Sequence, residues 1–138
     1  MELYFENCIG GERWMRNRMN GMTREFQPAP RRLSPPVDVV EDAEGYRFYF
    51  EMPGLKSESI DVRVEEGKLI VEAERRRPEL PNGAALRFAE RAWGQLRRAF
   101  ELPKDASAER VRANYRDGVL EVTIEKRPEA KPVKIQIN

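Results

Sequence analysis

Histidine is absent from this chain, cysteine occurs once, and no apolar run is long enough to cross a membrane. Each absence removes a class of function. Without imidazole the chain lacks the commonest general base and metal ligand. The lone thiol, Cys8, has no imidazole partner, which excludes Cys–His and Ser–His nucleophile pairs. No GxxxxGK[ST] loop occurs, so ATP hydrolysis by a P-loop is excluded as well. One cysteine cannot close a disulfide within the chain, which fits a reducing compartment. A membrane span needs about 18 consecutive apolar residues, and nothing here approaches that. The first residues, MELYFENCIGGERW, carry acids and no cationic segment ahead of a long apolar run, unlike a secretory signal. The expectation is a soluble, cytoplasmic protein that is no enzyme and needs neither cofactor nor metal.

Charge is plentiful but balanced. Lysine and arginine number 25 against 24 acids, a formal charge of +1 over 138 residues. A phosphate-binding domain normally carries a clear basic excess, so nucleic acid is not expected as a partner. The run Arg75–Arg77 is short and sits beside Glu72, Glu74 and Glu79. The length suits one ordinary domain with tails.

Three segments differ in pattern. Residues 1–33 hold four of the five methionines together with Phe5, Trp14 and Phe26. Met15, Met19, Met22 and Phe26 recur at i, i+4, i+7 and i+11, one face of a helix, with arginines around the other sides. No caps flank this stretch, so such a helix is marginal unless it packs on something. Pro28, Pro30, Pro35 and Pro36 then stiffen the chain into a linker.

From Val37 the period becomes two. Tyr46, Phe48, Phe50 and Met52 alternate with polar neighbours until Pro53-Gly54 ends the strand. Ile60, Val62 and Val64 lead through Glu66-Gly67 into Leu69, Val71 and Ala73, a tight hairpin. Residues 76–95 make a long polar connection in which Leu86–Arg91 is a candidate short strand. Gln95–Leu102 is a further strand, closed by Pro103. An Asp105-Ala106-Ser107 turn precedes Arg110–Arg116, and Asp117-Gly118 joins that strand to Val119–Glu125 in a second hairpin. Repeated short strands without a helix imply an all-β fold, an immunoglobulin-like antiparallel sandwich over 34–126. Residues 127–138 carry Pro128 and Pro132 and then Val133-Lys134-Ile135-Gln136-Ile137, an extended tail not expected to join its own core.

In this order the residues resemble the α-crystallin domain of small heat-shock proteins, of bacterial type. Asp38-Val39 opens the match, and Met52-Pro53-Gly54 is similar to the family's (D/E)-(L/M)-P-G turn. Glu90-Arg91 and Gly94 precede Phe100-Glu101-Leu102-Pro103, like the family's ER…G…F…R-x-F-x-L-P stretch. Ala113 to Leu120 fits A-x-x-x-x-G-V-L, and Ile135-Gln136-Ile137 gives I-x-I. Leu96 stands where many relatives have an aromatic, a conservative departure.

The resemblance implies an ATP-independent holdase that binds unfolding client proteins and passes them to ATP-dependent chaperones. It implies that Leu86, Phe88, Glu90 and Arg91 lie on a loop strand exchanged with a second copy, giving a homodimer and larger oligomers. The alternative for that loop is a plain surface excursion. Arg98 falls where the family places an arginine near the dimer contact; equally, an edge position with its stem packed and its head in water explains it. Ile135 and Ile137 become a tail anchor, received by Val62 and Val64 of a neighbour, or else end a frayed terminus. Phe5, Trp14, Met15, Met19, Met22 and Phe26 become the client-binding arm, or pack on the sandwich or another arm. A co-chaperone adaptor of similar sandwich is the rival function. It is expected to lack the exchange loop and the I-x-I tail.

Overall fold

The computed structural model describes residues 33–138. The arm residues and the helix expected among them lie outside the described residues. Seven strands follow in chain order: β1 Val37–Glu41, β2 Gly45–Glu51, β3 Ile60–Glu65, β4 Lys68–Arg75, β5 Gly94–Glu101, β6 Ala106–Arg116 and β7 Val119–Lys126. They form a four-stranded sheet, β1-β2-β7-β6, and a three-stranded sheet, β3-β4-β5. Every ladder between them is antiparallel. The expected all-β sandwich is what the chain forms.

Alternation decides which side chains enter the space between the sheets. On β2, Tyr46, Phe48 and Phe50 are buried while Arg47 and Glu51 are exposed. On β7, Leu120, Val122 and Ile124 are buried, and on β4 Leu69, Val71 and Ala73. Phe48 and Phe50 stack with ring centres 6.2 Å apart, and Phe100 of β5 reaches them at 5.4 and 6.1 Å. Burying one such side chain fully contributes about 1.5–3 kcal/mol, an upper figure because unfolded chains are already partly compact.

Both hairpins close through two residues of positive φ. Glu66 and Gly67 stand at +49° and +72°, Asp117 and Gly118 at +53° and +78°. Two consecutive left-handed residues twist a turn in the same sense as its strands, which is why the turns are so short.

Two expectations change. Leu86–Arg91 forms no strand: among the described residues it joins neither sheet. β6 begins at Ala106, not at Arg110, because Ala106 pairs with Lys126 of β7 across a register irregularity that ends at Val111. The expected turn thus becomes the start of a strand. Leu33, ahead of the expected domain, also bridges in parallel to Leu96 of β5, its N–H bonding Gln95 O at 2.8 Å.

Candidate functional site

The tail leaves the sandwich from a fixed root. The Arg127 N–H donates to Asp105 O at 2.7 Å and its Nε to Ala106 O at 3.3 Å. Lys131 Nζ donates to Glu44 Oε2 at 2.8 Å, tying the tail to the β1–β2 turn. Beneath it, the buried Tyr46 hydroxyl donates to Asp105 Oδ1 at 2.7 Å, with Glu41 Oε1 3.2 Å away. Lys126 Nζ bonds that same Glu41 oxygen at 2.9 Å and lies 5.4 Å from the Tyr46 ring centre. Burial, reinforced by the Asp105 carboxylate, pushes the Tyr46 phenol above its ordinary range. The Glu41 hydrogen bond raises Lys126. Asp42 is lowered by the backbone N–H groups of Glu44 and Gly45 that it accepts.

Beyond that root the side chains stand free. Val133 and Ile135 are each 83% exposed and Ile137 is 97% exposed, the most open large apolar residues of the described chain. Such side chains gain nothing by facing water, and a row of them at spacing two has the form of an unpaired strand.

Several rims have groups left to pair. β3 and β6 are each the edge of their sheet. Val62 and Val64 of β3 are half-buried against the core, as are Val111 and Tyr115 of β6. Tyr115 is fixed by donating to Met52 O at 2.7 Å. β1 is an edge as well, with Val39 and Val40 exposed at 48% and 46%.

In the β4–β5 loop Leu86 and Phe88 are half-buried, while Glu90 and Arg91 are exposed. The Arg91 guanidinium lies 4.3 Å over the Trp93 ring. Arg98 is half-buried on β5, donates to Ser34 Oγ at 2.9 Å and lies 5.2 Å from the Phe100 ring centre.

Sequence reasoning missed the Tyr46–Asp105–Lys126–Glu41 cluster and the open valines of β1. The cluster joins residues up to 85 positions apart and has no local signal. The valines had one, the short run Val37–Val40 ahead of a turn at Asp42. Among the described residues no group of acids or cysteine is placed to hold a metal ion. No helix among them is long and apolar enough to cross a membrane.

Comparison with known proteins agrees with this geometry. Residues 38–138 match the model of the Hsp20/alpha crystallin family. The chain is 42% identical over 116 residues to a 17.0 kDa class II heat shock protein of Zea mays, covering 83% of this chain and 75% of that one. It is 40% identical over 118 residues to a 17.1 kDa class II heat shock protein of Pisum sativum, covering 84% and 78%. Among solved structures, heat shock protein 16.0 from Schizosaccharomyces pombe superimposes with a TM-score of 0.64 at 34% identity, covering 77% of this chain and 97% of that one. The bacterial type expected from the sequence is not supported, since these curated relatives are plant class II proteins. The chain belongs to the Hsp20/alpha crystallin family, a family of small heat-shock chaperones.

Proposed function

We propose that this chain is an ATP-independent holdase, which binds partly unfolded clients under stress and later yields them to ATP-dependent chaperones. A protein that takes up aggregation-prone intermediates lowers their free concentration by mass action and needs no nucleotide to do so. It has no catalytic role, takes no cofactor and works in the cytoplasm. The methionine–aromatic arm, through Phe5, Trp14, Met15, Met19, Met22 and Phe26, supplies the client surface, because flexible thioethers adapt to varied apolar partners.

The observation that carries the reading is the contrast between a closed core and the open apolar groups of tail and edges. Ile135 and Ile137, almost wholly exposed, are offered to a second copy. Val62 and Val64 lie half-buried on the open strand β3, in position to receive them. Burying both isoleucines contributes on the order of 3–6 kcal/mol before ordering costs, enough for a reversible contact. The open edge of β1 and the segment Leu86–Arg91, which belongs to neither sheet, are complementary in the same way. Strand exchange between two copies would satisfy both, with Arg98 beside the contact, and would cover an edge otherwise prone to aggregation.

Light scattering of a heat-labile client, warmed with no nucleotide present, tests the function. The expected result is suppression at near-stoichiometric amounts, reduced when residues 1–33 are removed. Unchanged aggregation across ratios and temperatures would overturn the holdase and favour an adaptor that delivers no protection of its own.

A further inference from the structure

The tail carries three open apolar side chains at spacing two. Val133 is as exposed as Ile135, at 83%, and Ile137 stands at 97%. In an extended chain these three point one way, and Lys134 and Gln136 the other. Strand β3 offers a matching row. Ile60, Val62 and Val64 are half-buried against the core at the same spacing, and Asp61, Arg63 and Glu65 alternate with them. Beyond the ladder to β4, no backbone hydrogen bond among the described residues reaches Asp61–Glu65, so that edge can take another strand.

Charge separates this edge from that of β6. The residues of β6 that alternate with Val111 and Tyr115 are Arg110, Arg112, Asn114 and Arg116, three bases and no acid. On β3 two acids flank one base, and that base is already shared. Arg63 pairs with Asp61 and Glu65 on its own strand and with Glu72 of β4. Glu72 takes Arg97 as a second partner, so three acids meet two bases across the patch. Asp61 keeps a side chain 62% exposed, within reach of a newcomer. An ammonium group arriving there supplies the missing cation, whereas beside β6 it would meet guanidinium groups.

Two arrangements set all three tail side chains against all three of β3. Antiparallel, Val133 faces Val64, Ile135 faces Val62 and Ile137 faces Ile60, and Lys134 stands directly opposite Arg63. Parallel, Val133 faces Ile60, Ile135 faces Val62 and Ile137 faces Val64, and Lys134 stands opposite Asp61. The apolar contacts are alike, so charge decides between them. Residues directly opposite lie about 4.5–5.5 Å apart at Cβ, against about 7–8 Å for diagonal neighbours, and like charges so placed destabilise the pairing. Parallel ladders are only slightly the weaker per residue, and a lysine facing an arginine tips the balance.

We propose that the tail of a second copy adds to the β3 edge in parallel, with Val133 as a third anchor and Lys134 as a positioning residue paired with Asp61. The proposal rests on reading the tail as an anchor and deepens it by fixing direction and register. It also defines the partner. The edge accepts tails that carry a base between their first two apolar residues and discriminates against those with an acid there.

Full-length protein bearing Ile135→Ser/Ile137→Ser keeps its β3 edge free for a fluorescent peptide of residues 129–138, whose binding is read by anisotropy. Lys134→Glu in the peptide is expected to raise Kd about tenfold, an attraction replaced by a repulsion. Val133→Ser in the peptide is expected to cost a similar factor, about tenfold. Asp61→Lys in the protein, its fold checked by the denaturant midpoint, reverses the preference between the parent and Lys134→Glu peptides. Carbodiimide coupling of the unaltered protein, with isotopically labelled and unlabelled copies mixed, reports direction. The expected amide joins Lys134 of one copy to Asp61 of another. Coupling shared between Asp61 and Glu65, the acids on either side of Arg63, would show the antiparallel arrangement and overturn the proposal. Coupling within single copies only would overturn it too. Peptides that bind equally whatever the charge at position 134 would sink the register and leave the tail anchor standing. No binding by any peptide would sink the anchor itself, and the register with it.

Discussion

Ile124 and Ile137 are the same residue thirteen positions apart, one fully buried and the other 97% exposed. What separates them is what lies on either side of the backbone. β7 runs between β2 and β6, so its N–H and C=O groups are bonded on both edges and its alternate side chains point into the core. The tail follows Pro128 and Pro132, which interrupt any ladder and carry the chain off the sheet. Hydrophobicity alone therefore does not decide burial here. Strand neighbours and prolines do, and they divide the chain into a part that makes the fold stable and a part left over for contacts.

The sharpest break in that comparison is one truncation on each side of the divide. Phe50 is fully buried and touches the Phe48 and Phe100 rings. Phe50→Ala is expected to cost about 3–5 kcal/mol, read as a lower denaturant midpoint with an unchanged slope. On the exposed side, Ile135→Ser/Ile137→Ser is expected to leave that midpoint where it is. Its effect falls on assembly, where losing two buried side chains weakens subunit association by on the order of 3 kcal/mol. Native mass spectrometry across a dilution series reads this as a shift toward smaller species. An unshifted distribution would return the tail to a frayed terminus.

How far the sequence carried these distinctions depended on the range of the interaction. The hairpins at Glu66-Gly67 and Asp117-Gly118 were legible because few residues tolerate positive φ and both pairs stand between alternating runs. Val62 and Val64 were legible as one face of a strand, though their edge position depends on sheet order, which alternation does not report. Ile135 and Ile137 were legible because prolines isolate them. The cluster of Tyr46, Asp105, Lys126 and Glu41 was not, since it is assembled at one end of the four-stranded sheet from β1, β2, β7 and the turn ahead of β6. Nor was the parallel bridge of Leu33 to Leu96, which depends on where the linker meets an edge. Leu86–Arg91 has residues that suit a strand, but whether one forms depends on the pairing offered to it, which alternation does not report.

The two turns sharpen the comparison at smaller amplitude. Gly67 and Gly118 have nearly the same φ, +72° and +78°, but different surroundings. A β-carbon on Gly67 would meet nothing within 4 Å, whereas one on Gly118 would lie 3.2 Å from Pro53 Cα. Gly67→Ala is therefore expected to cost the left-handed backbone penalty alone, about 1–2 kcal/mol. Gly118→Ala is expected to cost more, because the β6–β7 turn would also press on the Met52-Pro53-Gly54 turn. Denaturant unfolding of the two variants side by side measures the difference. Equal losses would mean that Pro53 yields freely and that the two turns do not constrain each other.

The smallest effect concerns charge on the outer face of the three-stranded sheet. Glu72 of β4 accepts from Arg63 Nη1 of β3 at 2.9 Å and from Arg97 Nε of β5 at 2.6 Å, so one carboxylate ties all three strands. Arg63 also pairs with Asp61 and Glu65 on its own strand. The Arg63 hydrogen bond, followed by that from Arg97, holds Glu72 below the usual carboxylate range. A carboxylate lowered in the folded state binds fewer protons there than in the unfolded chain. Its stabilising contribution is thus complete above the ordinary glutamate range and is lost as pH falls through the depressed value. Solvent and salt screen the group, so the change is expected to be small. The stability difference between the parent protein and Glu72→Gln should be flat near neutral pH and shrink on acidification. The carboxyl carbon of Glu72, followed by NMR, should titrate below the ordinary glutamate range. A difference that does not change with pH would mean that backbone pairing alone holds β3, β4 and β5 together, and that the charges on this face serve hydration.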